Sequence, residues 1–456
     1  EANLTDYSCY FVEGCTDDTA CNYNEEADFD DGSCDFESCI GCTDVNAENY
    51  SSEFTVSNPF DCVYADLASN CIWESDFSNG EWWVVDHDIN DCSLDWQIGQ
   101  NLECSGSYPI ASIESENGYY AMLDSDAYGG DSGGNEIEDS WLTTAWPINI
   151  SDIENVIVEF DTWYRSYNYE KCFLVVSTDG SFPTDLSPDT QEDPANGIYE
   201  IFPDLSSVNV GATVEENPYK KRINISESIN GAEQIWIRFN WTGTWGYAWF
   251  IDNVCVKEQP EIDLVLESTN VSQHGSGEQY GRVPQGQIDG DSNSYNPYIG
   301  ASVLNFGISD VNNVDILYQT SINGNIQNTS SLASLNIASG DVVYSQENIS
   351  FSNEIGLHEI DFMINTEGDM SPNNNAANRK FEITNDNGGL YSLDGIGIHN
   401  SPDVSRSGTE SFDDAADGFM MMSYYHLTSY DPVYGIEILL DSYLYEDYNS
   451  EAGGEI

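Results

Sequence analysis

The chain has 456 residues, 81 acidic and 11 basic, for a net charge of −70. A surface of that sign repels nucleic-acid phosphates and anionic membranes, which excludes nucleic-acid partners. Apolar residues make up 40%, enough for several buried cores at roughly 100–200 residues per domain.

The charge is unevenly placed, because the first basic residue is Arg165. Carboxylates before it are expected to lack internal salt bridges and to be solvated, screened by salt or neutralised by bound cations. All twelve cysteines lie between Cys9 and Cys255. An even, clustered set argues for disulfides and an oxidising, extracellular location at the cell surface or in secreted form. No run approaches the roughly 18 apolar residues of a membrane span, so no membrane insertion is expected. The first residues lack the basic and apolar runs of a signal peptide, so Glu1 reads as the start of a mature or internal piece.

Residues 1–66 contain a repeat: GCTDDTACNYN at Gly14–Asn24 recurs as GCTDVNAENYS at Gly41–Ser51. Each copy ends in a cysteine with an aromatic two positions on, Cys34 with Phe36 and Cys62 with Tyr64, and Cys9 with Phe11 reads as the tail of an earlier copy. So short a unit cannot bury a core and must be stapled. The second copy has Glu48 where the first has Cys21, so the bonding cannot be identical in both.

Residues 67–258 read as one β domain, with ENVIVEFDTWY, KCFLVVSTDG, EQIWIRFNWTG and AWFIDNVCVKE as strands. A break at EQPEI leads to a second β unit, 259–385, with DLVLEST, GASVLNFGI, VDILYQTSI, HEIDFMIN and RKFEIT as strands spaced as in a sandwich. Residues 386–456 begin a further β pattern too short for a complete sandwich. No segment sustains a helical period. The expected fold class is all-β, with tandem sandwich or jelly-roll domains after small disulfide-rich repeats.

The chemistry-bearing stretches point away from catalysis. GGDSGGNE at Gly129–Glu136 contains the DSGG of a serine-protease loop, but with five histidines in the chain, His87 in VVDHDIND lacks the context of a catalytic base. No HExxH, GxSxG or P-loop pattern occurs. The acidic loops suit calcium, a hard cation that takes six to eight oxygens from turning backbone. Candidate ligands are Asp28, Asp30 and Asp31; Asp86, Asp88 and Asn90; Asp124 and Asp126; and Asp289, Asp291 and Asn293. None has the glycine and glutamate spacing of an EF-hand. WWVV and FNWTGTWGYAWF could pack as core or offer stacking faces to sugars, with Trp245 and Trp249 the rings to test.

Seven cysteines (Cys9, Cys15, Cys21, Cys34, Cys39, Cys42, Cys62) fall in the repeats and five (Cys71, Cys92, Cys104, Cys172, Cys255) in the first β domain. Both counts are odd, so either one bond crosses or each region keeps a thiol. Within the β domain the local pair Cys92–Cys104 is favoured.

GCTDDTACNYNEEADFDDGSC resembles the GCTD…ACNY…DDGSC repeats of large secreted proteins of marine Bacteroidota. Residues 72–256, through WESDFSNGEWWVVDHD, YYAMLDSDAYGG, EFDTWY, LVVSTDG and WFIDNVCV, are similar to jelly-roll modules of MAM or cleaved-adhesin type. Residues 262–385 resemble, more weakly, adhesion-related immunoglobulin-like modules. The resemblance implies type IX secretion cargo with noncatalytic adhesive or structural modules. It also implies calcium where the DSD loop nears the last strand, at Asp124, Asp126 and Asp252. The sorting domain of such cargo is not seen, as expected of a partial chain. The partners expected are other surface proteins, glycans or further copies of the chain in a filament. The alternatives are the accessory region of a secreted peptidase or glycosidase, and a carbohydrate-binding module.

Overall fold

The computed structural model describes residues 12–392 apart from 65–69, 89–91, 130–136, 206–216, 273–280, 289–293, 386–388 and the single positions 19, 37, 46, 152, 296, 365 and 367, together with Gly435–Ile436. Cys9, Asn90, the DSGG motif, the triplet Asp289, Asp291 and Asn293, and nearly all of 386–456 lie outside the described residues. Contacts separate two compact units: Ser69–Gln259 is the body of one, and the other comprises Pro260–Ile398 and the segment ending at Ala68.

The repeats contain little regular structure. Parallel two-residue strands pair β1 (Glu13–Gly14) with β2 (Phe29–Asp30), and β3 (Ile40–Gly41) with β4 (Val56–Ser57). Cys15–Cys34 and Cys42–Cys62 are equivalent bonds in the two copies, and Cys21–Cys39 is the extra one that Glu48 denies the second copy. The conserved asparagine of NYN/ENY acts alike in each copy. Asn22 Nδ2 donates to Ser33 O and Asn49 Nδ2 to Asp61 O, both at 2.6 Å, closing the loop that the disulfide staples.

The first sandwich is built from β5 (Trp73–Ser75), β6 (Trp83–His87), β7 (Gln97–Gln100), β8 (Tyr119–Asp124), β9 (Glu138–Thr144), β10 (Ile148–Asn149), β11 (Val156–Arg165), β12 (Lys171–Ser177), β13 (Ile198–Glu200), β14 (Tyr219–Asn224), β15 (Gln234–Gly243) and β16 (Ala248–Glu258). One sheet runs β13-β12-β15-β9-β6 with β10 on β15. The other runs β14-β11-β16-β8-β7 with β5 on β16. Between them Trp241, Trp249, Phe160, Phe239 and Tyr164 are almost wholly buried. β8 and the start of β16 are buried on both faces because residues around 102–113 cover the outer face over Tyr120, Met122 and Phe250. Outside the sheets, helix among the described residues is confined to single turns such as α1 (Ser125–Tyr128).

Cys71 pairs with Cys255 of β16, so the first sandwich closes on itself. Cys92, Cys104 and Cys172 are thiols. The favoured Cys92–Cys104 bond is absent because the two sit in different cores. Cys92 points into the main core and donates to Asp139 O at 3.4 Å, whereas Cys104 packs in the outer cluster with Leu102 and Ile110. Burial raises the pKa of all three thiols, Cys104 to about 12, so they stay protonated and unreactive.

The expectation that carboxylates before Arg165 lack ion pairs fails at Glu159 and Asp161. Glu159 meets Lys257 at 2.9 Å, Arg222 at 3.0 Å and Lys220 at 3.7 Å, and Lys220 also reaches Asp161 at 2.9 Å. Antiparallel pairing of β11 with β14 and β16 sets these residues opposite bases more than fifty positions away. The paired charges hold the Glu159 carboxyl below its usual range despite its burial.

The second sandwich comprises β17 (Leu264–Ser272), β18 (Arg282–Pro284), β19 (Ser294–Tyr295), β20 (Tyr298–Asn305), β21 (Val311–Val314), β22 (Ile316–Ile322), β23 (Asn325–Ser331), β24 (Leu335–Ile337), β25 (Val342–Asn348), β26 (Phe351–Ser352), β27 (Gly356–Ile364) and β28 (Ala376–Thr384). Sheets β17-β20-β25 and β18-β28-β27-β22-β23 enclose Leu264, Val303, Ile316, Phe362 and Ile383. Among the described residues no helix is long and apolar enough to cross a membrane.

Candidate functional site

Strand register gathers one set of ends in the first sandwich. Arg165 lies opposite Ala248 and Ala248 opposite Asp124 in one sheet; Gly243 lies opposite Glu138, and Lys171 opposite the adjacent Thr242, in the other. The connections leaving β8, β11 and β15 therefore share one rim.

Two fully buried carboxylates lace this rim. Glu138 accepts from Ser125 Oγ at 2.7 Å, Trp241 Nε1 at 3.0 Å and Trp245 N at 3.3 Å. Glu170 accepts from Tyr167 N at 2.7 Å and Asn168 N at 2.6 Å, and Asn168 Nδ2 donates to Thr244 O at 2.9 Å. Burial pushes the Glu170 carboxyl up to about 6 against the pull of those amides. Gly243 and Gly246 permit the close approach: a Cβ at Gly243 would lie 2.4 Å from Glu170 Cβ, and one at Gly246 would lie 2.5 Å from the Trp241 ring.

On this braced frame the aromatic rings face solvent. Trp245 is 45% exposed, Tyr169 49%, Tyr167 39% and Tyr108 51%. Trp245 and Tyr169 hold left-handed backbone, at φ 53° and 60°. That region is costly for bulky residues and persists only where surrounding bonds impose it. Tyr247 joins the group edge-on, with centroids 5.2 Å from Tyr167 and 6.5 Å from Tyr108, and Arg165 Cζ lies 4.4 Å over its face. Asp126 accepts from the Tyr108 amide, and Asp124 accepts from Ser105 N at 2.8 Å and caps α1 through Ala127 N. Burial, and then the neighbouring Asp124 charge, push the Asp126 carboxyl up.

The proposed calcium ligands do not assemble as expected. Asp124 pairs across to Ala248, and Asp252 lies four residues further along β16, about 13 Å away. Asp252 is instead buried opposite Asp161, and burial, then the Asp161 and Asp76 charges, raise it to about 6. Asp30 and Asp31 turn back onto Gly32 N and Ser33 N, Asp28 accepts from Val12 N, and Asp86 accepts from His87 N. Asp88 N is engaged by Asp139 O. Among the described residues no group of three or more His, Cys, Asp or Glu is placed to hold a metal ion.

Of the two tryptophans singled out in FNWTGTWGYAWF, only Trp245 is exposed. Trp249 is wholly buried and donates to Thr162 Oγ1 at 2.9 Å. In WWVV, Trp82 is exposed and meets Trp146 edge-on at 5.4 Å, while Trp83 is core. Sequence reading missed Tyr108, Tyr167, Tyr169, Glu138 and Glu170. The glycines flanking Trp245 and the SYNYE run after Arg165 were the available signals.

No family model and no curated protein matches the chain. Among solved structures, the chain is similar to TmCBM61 in complex with β-1,4-galactotriose, at 16% identity over 42% of this chain and 100% of that one, TM-score 0.23. It is similar to the K1 cleaved adhesin domain of Lys-gingipain from Porphyromonas gingivalis W83, at 14% identity over 41% of this chain and 98% of that one, TM-score 0.26. A putative beta-galactosidase from Bacteroides fragilis matches at 10% identity over 54% of this chain, TM-score 0.29, with this chain spanning 32% of its length. At these identities and scores the likeness says nothing of function.

Proposed function

We propose that the chain is a noncatalytic extracellular adhesive protein whose first sandwich holds glycans against the aromatic rim. The observation that carries this reading is the pair of half-exposed rings, Trp245 and Tyr169, held in left-handed backbone over buried carboxylates. A pyranose presents a C–H-rich face to such rings, and the buried carboxylates hold the loops that carry them. The stapled repeats favour an oxidising, extracellular setting, and the GCTD motif favours type IX secretion cargo. Other surface proteins and further copies of the chain belong to the same reading as partners. Glycan-array screening of the full chain, followed by titration with the retained glycans, tests it. Trp245→Ala is expected to weaken binding about tenfold, the loss of one stacking ring. If the array retains nothing, or if Trp245→Ala binds as wild type does, the rim is not a glycan site.

Structural calcium belongs to this proposal, with Asp252 the carboxylate that would gain most from a cation. Its folded pKa stands above its unfolded value, so the folded state holds the extra proton between the two. Stability from this group is present below about pH 4 and lost as pH rises through about 6. In chelator-treated protein Asp252→Asn is expected to remove that decline, read by denaturant unfolding at several pH values. Added calcium should raise the melting temperature of the wild type at neutral pH and not of Asp252→Asn. If chelation leaves the unfolding transition of the first sandwich unmoved, calcium is not structural there.

A further inference from the structure

A group of buried oxygens closes the end of the second sandwich where the β27–β28 connection meets the residue before β17. Met370 N donates to Ile262 O at 3.1 Å and Leu264 N to Asp369 Oδ2 at 3.0 Å, which brings Asp263 and Asp369 together from distant parts of the chain. Both are buried. The donors to the Asp369 carboxylate are all neutral: Leu264 N and Asn375 Nδ2, each at 3.0 Å, on Oδ2, and Ser371 N at 2.9 Å on Oδ1. Asn374 Nδ2 donates to Asp263 Oδ1 at 3.0 Å. Three oxygens of this loop, Ser371 Oγ, Asn374 Oδ1 and Asn375 Oδ1, are buried without a hydrogen-bond partner among the described residues, and Ser371 and Asn375 are only 2% and 3% exposed. Each sits on a residue that already touches one of the two carboxylates.

Buried acceptors without donors are costly and call for a species that accepts lone pairs. A carboxylate offers about four lone-pair sites, so Asp369 has one over, and acceptors outnumber donors around it. A hard divalent cation meets the whole set at once. Two carboxylates, two amide oxygens and a hydroxyl supply oxygens on turning backbone, and the two carboxylates match a double positive charge. Asp369 and Asn375 also line a cavity of about 1170 Å³ with Thr366, Gly368 and Asn373, which gives an ion its way in. We propose that this loop is a calcium site of the second sandwich, held by Asp263, Asp369, Ser371, Asn374 and Asn375 and pinning the β27–β28 connection to the start of β17. It is separate from Asp252 in the first sandwich and does not depend on the glycan reading. Sequence spacing did not mark it, because its two carboxylates lie far apart in the chain and its other oxygens are neutral.

The full chain, chelator-treated and carrying Asp252→Asn to silence the other proposed site, is titrated with calcium at about 0.15 M salt, where exposed carboxylates are screened beyond about 8 Å. Hydrogen exchange of peptides covering 366–378 is the readout, because it reports this loop and not the acidic surface at large. Calcium is expected to slow exchange there about tenfold, and magnesium at the same concentration to do much less, since it demands a stricter geometry and gives up its water reluctantly. Ser371→Ala removes an unpartnered oxygen and no bond, so it should leave the chelated protein as stable as before and weaken calcium binding several-fold. Asn374→Ala, at a half-buried position, should weaken binding about tenfold. Asp369→Asn is expected to abolish the calcium effect, and if that variant fails to fold the two milder ones decide. Exchange over 366–378 that calcium leaves unchanged overturns the site, because water then satisfies the loop. Protection that is equally strong, at equal calcium, with and without Ser371→Ala and Asn374→Ala also overturns it, because the ion would then be held elsewhere.

Discussion

Cys71→Ser is expected to lower the unfolding free energy of the first sandwich by about 5 kcal/mol. The Cys71–Cys255 bond spans a sequence separation of 184, and cross-linking so long a loop removes much of the unfolded chain's entropy. The effect is also local. β5 pairs with β16 through only three residues, Trp73, Glu74 and Ser75, and the bond holds that short edge strand beside Val254–Val256. Denaturant unfolding of oxidised wild type and Cys71→Ser measures the difference. Equal midpoints would mean that the edge strand is held by its hydrogen bonds and by Trp73 packing alone. Because the other three cysteines of this sandwich are thiols, reductant should reproduce the variant's loss in this domain.

The second large effect separates two tryptophans four residues apart. Trp249→Ala is expected to cost about 3–5 kcal/mol. Its ring is wholly buried, lies edge-on to Trp96 at 5.0 Å and Phe239 at 6.0 Å, and donates to Thr162 Oγ1. Truncation opens a cavity between the two sheets and leaves that hydroxyl with only its bond to Phe250 O at 2.8 Å. Trp245→Ala should stay within about 0.5 kcal/mol of wild type in stability, as exposed substitutions do, while weakening glycan binding. Thermal unfolding and glycan titration on both variants read the contrast. A Trp245→Ala protein as destabilised as Trp249→Ala would make Trp245 a packing residue and remove the chief support for the rim.

The strands of both sandwiches were legible because burial leaves a local signature. VIVEFDTWYR, KCFLVVS and QIWIRFNWTG are apolar runs bounded by turn residues, and each forms one strand. The repeat was legible for the same reason: a 27-residue recurrence with cysteines at fixed offsets needs no tertiary information. The site was not. Trp245 and Trp249 have the same local pattern, and which faces water depends on register and on Gly246, which lets the loop fold down over Trp241. Glu138 and Glu170 look like two more acids in an acidic chain until three loops close over them.

The sequence by itself determined the all-β class, the stapled repeats and the sign of the surface, since composition and short-range spacing govern each of these. Only the tertiary structure decided which groups meet. It placed Glu159 among three bases from two neighbouring strands, set Asp252 about 13 Å along β16 from the partner of Asp124, paired Cys71 with Cys255 and gathered rings from separate loops at one rim. The physical reason is that sheet register joins residues tens to hundreds of positions apart, and no local pattern in the chain carries that information.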